Sequence, residues 1–105
     1  MVRNLYVLSH TQVMGKYKIG IHSQDLPSLY RRYKTALPEM QVHYFIENIA
    51  ARQVEQTFLN KYIQERIRFV DTHRLSEWVE MPLPQIAQEL YEIIQPQRIK
   101  YKITS

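Results

Sequence analysis

Two short strand-like runs near the start of the chain, residues 3–9 and 16–22, limit the folds that it can adopt. The first run contains NLYVL, which leaves little polar alternation and is typical of a buried strand. The second run alternates, so Tyr17 and Lys18 face opposite sides of its strand. Because about six residues separate the two runs, we predict an antiparallel hairpin.

The rest of the chain mixes helical and strand-like patterns. In chain order, these patterns predict a helix over 26–36, a strand over 41–47, a helix over about 49–66 with Asn48 as its N-cap, a strand over 76–81 and a helix over 85–94. Residues 95–105 alternate apolar with basic side chains, which predicts an edge strand or a basic arm. The order of elements indicates a compact α+β domain.

Length and composition fit one domain, residues 1–94, followed by the basic tail. The 105 residues are 45% apolar, which is sufficient for a core. No apolar run approaches about 20 residues, and the first residues lead directly into a strand, so we expect neither a membrane span nor a secretion signal. The absence of cysteine fits an intracellular protein. A formal charge of +4 favours a polyanionic partner.

Glu55 is the most informative polar residue, because helical spacing sets it beside the apolar Val54 and Phe58. A carboxylate in that position loses hydration, which raises its pKa or destabilises the fold unless something compensates. A divalent cation or an arginine would compensate. The alternative is a boundary glutamate whose carboxylate reaches water, paired with Arg52 or Arg31.

Two adjacent arginines lie on the first predicted helix. Arg32 follows the apolar Leu29 by three residues and lies beside the buried face, whereas we expect Arg31 to be more solvated. A guanidinium suits phosphate because its planar fork donates two hydrogen bonds. The alternative is a pair of solvated charges on a basic helix face.

The strands carry candidates for phosphodiester hydrolysis, which needs an activated nucleophile and charge stabilisation on the phosphoryl oxygens. Lys18, Gly20 and His22 share one strand face, where lysine would supply charge and glycine would let a phosphate approach. An ordinary solvent-facing surface is the alternative. Tyr6 would need a nearby cation to act as a base, because a phenol has a pKa near ~10; otherwise it is a core residue with a hydrogen-bonded hydroxyl.

In their order along the chain, these residues resemble the signatures of the GIY-YIG nuclease superfamily. The similarity is closest to its divergent branch in bacteriophages and large DNA viruses, whose second signature reads Lys-Ile-Gly. The matching segments are NLY at 4–6, KIG at 18–20, LxxRY at 29–33, VExxFL at 54–59 and EWV at 77–79. Lys18 stands where the superfamily has its second tyrosine, while Tyr17, one residue earlier, faces the other side of the strand.

The resemblance implies a small three-stranded antiparallel sheet flanked by helices, and a DNA endonuclease or nickase that uses one Mg²⁺ or Mn²⁺. By position, Tyr6 would assist deprotonation of the attacking water, and Lys18 would supply charge or act as the base. Arg32 would hold the scissile phosphate, and Glu55 would bind the metal. Beside them, His22 is a further catalytic candidate, and Arg31 and Gly20 are candidate phosphate contacts.

Two other functions stay open from the sequence. The replacement of a tyrosine by Lys18 and the basic tail also fit a non-catalytic module that keeps the fold and binds nucleic acid. A protein-interaction domain with an incidental basic charge is the third possibility. If the chain cuts DNA, a domain this small is expected to need a second copy or a partner domain to select its site.

Overall fold

A five-stranded antiparallel sheet forms the centre of the fold, as seen in a computed structural model that describes the backbone of residues 3–104 and the side chains of residues 3–95. The strands lie in the order β3-β1-β2-β5-β4. The elements are β1 (Arg3–His10), β2 (Lys16–His22), α1 (Leu26–Tyr33), β3 (Met40–Ile49), α2 (Ala51–Lys61), a 3₁₀ turn (Ile63–Glu65), β4 (Arg66–Arg68), β5 (Leu75–Glu80) and α3 (Leu83–Thr104). The predicted α+β class is therefore confirmed.

The hairpin of β1 and β2 is confirmed, and its register decides which side chains share a face. Tyr6 pairs with Gly20, and Leu8 pairs with Lys18. On the opposite face, Tyr17 packs against the larger hydrophobic core. The period of two along β2 thus separates Tyr17 from Lys18, as the alternation predicted.

Helices cover both faces of the sheet and create two hydrophobic cores. One core joins the sheet to α2 and α3; its members include Leu5, Val7, Ile19, Val54, Phe58, Val79, Ile86 and Leu90. The smaller core joins the other face to α1 through Tyr6, Leu8 and Leu29, with Trp78 packed against them. Side chains from one strand therefore serve two different layers, as expected for a sheet buried on both faces.

The sheet is larger than the predicted three-stranded one. The extra strand predicted over 76–81 is present as β5, which adds to β2, and β4, which was not predicted, pairs with β5. The long helix predicted over 49–66 is shorter than expected, since α2 ends at Lys61 and the chain turns into β4. The prediction that Asn48 is the N-cap of this helix is also wrong, because α2 has Ala50 at that position. Asn48 lies at the end of β3 with a φ of 57°, and its backbone N–H donates to Asn4 Oδ1 at 3.1 Å. Asparagine tolerates this left-handed conformation better than most residues.

The first and last helices differ in length from the predicted ones. Asp25 caps α1 by accepting a hydrogen bond from the backbone of Ser28, but α1 ends at Tyr33 rather than at residue 36. The backbone of residues 95–104 continues α3, so the predicted edge strand is not formed there. The basic side chains of that tail lie outside the described side chains. No described helix is both long and apolar enough to span a bilayer.

Candidate functional site

The ring of Tyr6 lies over Gly20, its partner across the hairpin. A Cβ added to Gly20 would come within 2.3 Å of Cζ and Oη of Tyr6, far inside van der Waals contact. Tyr6 is only 2% exposed, so its ring has little freedom to move away. Glycine is therefore required here to make room for a tyrosine. The expectation that Gly20 lets a phosphate approach needs correction, because the ring of Tyr6 fills that space.

The hydroxyl of Tyr6 meets the hydroxyl of Tyr33, which is the last residue of α1. The two oxygens are 2.9 Å apart, and the rings are in an edge-to-face arrangement. Burial, and then the hydrogen bond with Tyr33, raise the pKa of Tyr6 well above its ordinary value. Tyr6 therefore stays protonated near neutral pH and can act as a hydrogen-bond donor, but not as the base that its position in the signature implied.

Two cationic side chains lie against the ring of Tyr33. Lys18 Nζ is 5.5 Å from the ring centroid, and the guanidinium carbon of Arg32 is 5.4 Å from it. Cations at these distances are attracted to an aromatic ring by its quadrupole. Lys18, Arg32 and the two tyrosine hydroxyls therefore form one cluster, called here the tyrosine cluster, which β1, β2 and α1 build together.

Glu55 is buried on α2, as the helical spacing predicted. It is 9% exposed, and its Oε2 has no hydrogen-bond partner among the described residues. Burial, followed by the hydrogen bond and the negative charge of Glu77, raises the pKa of Glu55 to about 7. The positive charges of Arg52 and Lys18 oppose this rise. The alternative of a water-exposed glutamate paired with an arginine does not describe this site.

Glu55 and Glu77 form a carboxyl pair, since a hydrogen bond and the charge of Glu77 both act on Glu55. The register of β2 with β5 pairs Lys18 with Trp78, which puts Glu77 next in the chain to the partner of Lys18. The charge of Glu77 also helps to raise the pKa of Tyr6, and the charge of Lys18 acts on Glu55. Thus the carboxyl pair and the tyrosine cluster are close enough to influence each other, although α1 and α2 cover opposite faces of the sheet.

His22 and Arg31 line a cavity that adjoins the tyrosine cluster at Arg32. The cavity has a volume of about 540 Å³ and is otherwise lined mostly by polar residues, among them Arg3 and Ser28. His22 is 9% exposed, and its Nε2 is buried without a partner among the described residues. Burial, and then the charge of Arg32, lower the pKa of His22, so its imidazole is neutral at pH 7.

Two members of the site, Tyr33 and Glu77, had no role assigned from the sequence. Tyr33 follows the buried Leu29 by four residues, and this spacing puts both on one face of α1. That signal was available. Glu77 gave no such local signal, because its proximity to Glu55 depends on the pairing of β5 with β2. Sequence periodicity does not reveal which distant strands pair.

A divalent cation is compatible with the carboxyl pair. Mg²⁺ and Mn²⁺ prefer oxygen ligands and usually keep several waters, so one or two carboxylates are sufficient on the protein side. The unpartnered Oε2 of Glu55 and the adjacent carboxyl of Glu77 fit this requirement. Within the described residues, no group of three or more histidine or acidic side chains forms a metal site.

Comparison with known proteins gives relatives without an assigned activity. No family model matches the chain, and no solved structure matches it. Two proteins of Acanthamoeba polyphaga mimivirus are similar to it. Uncharacterized protein R9 is 38% identical over 65 residues, which are 62% of this chain and 17% of R9. Uncharacterized protein R10 is 38% identical over 78 residues, which are 72% of this chain and 20% of R10. The match thus covers about a fifth of these viral relatives.

Proposed function

We propose that this chain is a metal-dependent endonuclease or nicking domain of the GIY-YIG type that acts on DNA. The observation that carries this proposal is the tyrosine cluster, in which Tyr6, Lys18 and Arg32 meet at Tyr33, together with the buried Glu55, on which the charge of Lys18 acts. These four residues come from separate segments of the chain and match four of the five signature segments in order. Nothing in their sequence spacing alone requires them to meet.

Arg32 holds the scissile phosphate in this proposal. Its guanidinium is exposed at one end of the tyrosine cluster, where its planar fork is available to two phosphoryl oxygens. Lys18 contributes a second positive charge beside the same ring. The two cations stabilise the negative charge that develops on the phosphoryl group.

In this proposal the hydroxyl of Tyr33 orients the attacking water, and Tyr6 positions Tyr33. Tyr6 remains protonated and holds Tyr33 through the bond of 2.9 Å between their oxygens. Tyr33 is half-buried: its hydroxyl contacts the buried phenol of Tyr6, and its ring lies near the two cations. The positive charge of Lys18 favours deprotonation of the water, whose proton passes to solvent, since Tyr6 is unsuited to receive it.

Glu55 and Glu77 hold the metal ion in this proposal. When bound, Mg²⁺ or Mn²⁺ stabilises the leaving oxygen and the charge of the phosphoryl group. The carboxyl of Glu55 must be deprotonated to act as a ligand, and its pKa of about 7 brings that step close to neutral pH.

A non-catalytic module that binds nucleic acid is the second candidate. Two observations favour it: Lys18 replaces a signature tyrosine, and the pKa of Tyr6 is raised, so that this tyrosine is not available as a base. Such a module would bind DNA in a salt-dependent way without metal. A second copy or a partner domain would be needed for site selection in either case.

The test is nicking of supercoiled DNA with Mg²⁺ or Mn²⁺, in parallel with two variants. Arg32→Ala and Glu55→Gln should each abolish nicking, because one removes the phosphate contact and the other removes a metal ligand. Arg74→Ala, at an exposed arginine in the turn before β5, is the matched control and should nick like the wild type. If pure protein never nicks in either metal, but its DNA binding survives chelation and Glu55→Gln, the binding module is the correct function.

A further inference from the structure

A polar cavity beside the tyrosine cluster contains three arginines, and nothing in the proposed cleavage step uses two of them. Arg3, Arg31 and Arg32 line it together with Ile21, His22, Ser23, Gln24 and Ser28. None of these lining residues is acidic, and the nearby Asp25, whose charge acts on His22, offsets only part of the positive charge of the three arginines. Arg32 belongs both to this cavity and to the tyrosine cluster.

The cavity is built from the start of β1, the end of β2, the turn that follows it and α1, which contributes Ser28 from its first turn and Arg31 and Arg32 from its last. Hydrogen bonds fix this region: Asn4 Nδ2 donates to the carbonyl of Gln24 at 2.6 Å, and Ser28 Oγ donates to the side chain of Gln24 at 2.5 Å. His22 adds a neutral imidazole whose Nε2 is buried and unpartnered among the described residues. Arginines beside an unpartnered histidine nitrogen suit an anion that accepts several hydrogen bonds.

We propose that this cavity binds a second backbone phosphate of the DNA strand, adjacent to the phosphate held by Arg32. The inference rests on the proposed function, because it is Arg32 that connects the cavity to the cleavage site. Arg3 and Arg31 are the charged contacts, and His22 offers an additional polar contact inside the cavity.

Arg3 also extends the positive surface beyond this cavity. It lines a second cavity of about 440 Å³ together with Arg52, Gln53 and Gln56 of α2. Arg52 acts on the pKa of Glu55, so this second cavity leads back toward the carboxyl pair. Because Arg3 lines both cavities, one strand can contact Arg31, Arg3 and Arg52 in turn.

The test measures DNA binding in EDTA, where no cleavage occurs, so it is independent of nuclease activity. Arg3→Gln and Arg31→Gln are compared with Arg74→Gln, which removes an equal charge outside the cavity. We expect each cavity variant to weaken binding roughly tenfold at 0.15 M salt and to reduce the salt dependence by about one released ion. Arg74→Gln should change neither the affinity nor its salt dependence. Thermal melting should show that all variants are folded.

A chemical change in the DNA identifies the phosphate. A single neutral methylphosphonate, placed next to the cleaved position, should weaken binding of the wild type about as much as Arg3→Gln does. It should weaken binding of Arg3→Gln no further. Equal losses in Arg3→Gln, Arg31→Gln and Arg74→Gln would overturn the proposal, since only total charge would matter.

A second arm distinguishes an internal phosphate from a terminal one, which has the same chemistry. Duplexes with and without a 5′-phosphate at a strand end are compared for the wild type and Arg3→Gln. If binding depends on the terminal phosphate and not on the methylphosphonate, the cavity recognises strand ends and the backbone proposal is wrong. Failure of the wild type to nick, with binding still dependent on Arg3, would refute the cleavage proposal alone.

Discussion

Glu55 and Glu89 are equally buried, at 9% exposure, but their surroundings differ in every other respect. Glu89 lies on α3 and accepts hydrogen bonds from Lys61 Nζ at 2.6 Å and from the hydroxyl of Tyr62 at 2.9 Å. The hydrogen bond from Lys61 is the main cause that lowers the pKa of Glu89. Glu55 has an unpartnered oxygen and an acidic neighbour, and its pKa is raised to about 7.

The difference shows that two equally buried carboxylates can have opposite electrostatic surroundings. Glu89 is compensated by partners within the fold, so its charge connects α3 to the end of α2 and stabilises their packing. Glu55 is compensated by nothing comparable among the described residues, which is why the proposed function assigns it a cation. Replacing Glu55 should therefore impair nicking and raise stability, whereas replacing Glu89 should lower stability and leave nicking nearly unchanged.

The largest effect is expected on nicking. Glu55→Gln should lower the nicking rate about a thousandfold or more, equivalent to roughly 4 kcal/mol, because it removes a metal ligand. Glu89→Gln should leave the rate within about twofold at a temperature where it stays folded. Rates are measured on supercoiled DNA with Mn²⁺. Equal losses in the two variants would mean that nicking depends on stability and not on the identity of the carboxylate.

The next effect is a loss of stability at Glu89. Glu89→Ala should lower the free energy of unfolding by about 2–3 kcal/mol at pH 7, because Tyr62 and Lys61 lose their acceptor. The pKa of Glu89 is lowered in the fold, so its contribution is present above its unfolded value of 4.5 and is lost as the pH falls. Urea unfolding at pH 7 and pH 3 tests this, and a deficit as large at pH 3 would contradict it.

A gain of stability is expected at Glu55, with the opposite pH dependence. A pKa raised from 4.5 to about 7 stabilises the fold fully below pH 4.5, and this contribution is lost as the pH rises through 7. Glu55→Gln should therefore be more stable than the wild type at pH 8, by on the order of 2 kcal/mol. Urea unfolding at pH 8 measures this difference, and a less stable variant would show that the carboxylate is compensated.

Metal binding tests the difference between Glu55 and Glu89 without a catalytic assay. Mn²⁺ should raise the melting temperature of the wild type at pH 8, because it binds the folded carboxyl pair. Glu55→Gln and Glu77→Gln should both lose most of this increase, whereas Glu89→Gln should keep it. An increase that survives in Glu77→Gln would remove Glu77 from the proposed metal site.

The smallest effect is expected at Lys61. Its side chain is 57% exposed, so its ion pair with Glu89 is screened by water. Lys61→Met should cost clearly less stability at pH 7 than Glu89→Ala does. Urea unfolding in low and high salt checks this. A loss as large as that of Glu89→Ala would mean that the ion pair, and not the bond from Tyr62, stabilises this region.

Local patterns predicted the parts of the site that depend on one element. The alternation along β2 separated Lys18 from Tyr17, and helical spacing predicted that Glu55 is buried. These follow from the periods of strand and helix, which need no knowledge of distant residues.

The sequence did not predict features that depend on pairing between distant segments. The apolar pattern of the long helix continues through Ile63, but α2 ends at Lys61 and Ile63 is 46% exposed. The chain leaves the helix because β4 pairs with β5, and that pairing also defines the outer edge of the sheet. The nearness of Glu77 to Glu55 has the same origin, since it depends on the pairing of β5 with β2.

The contact between Tyr6 and Gly20 couples the residues that positions 6 and 20 can accept. With Tyr6 in place, even alanine at position 20 would collide with the ring, so the two positions cannot change independently. A selection for folded protein from a library randomised at both positions should return an aromatic residue at 6 only with glycine at 20. Larger residues at 20 should appear only with small residues at 6, and those proteins would lose the bond to Tyr33. A folded variant without glycine at position 20 must therefore also lack the tyrosine cluster.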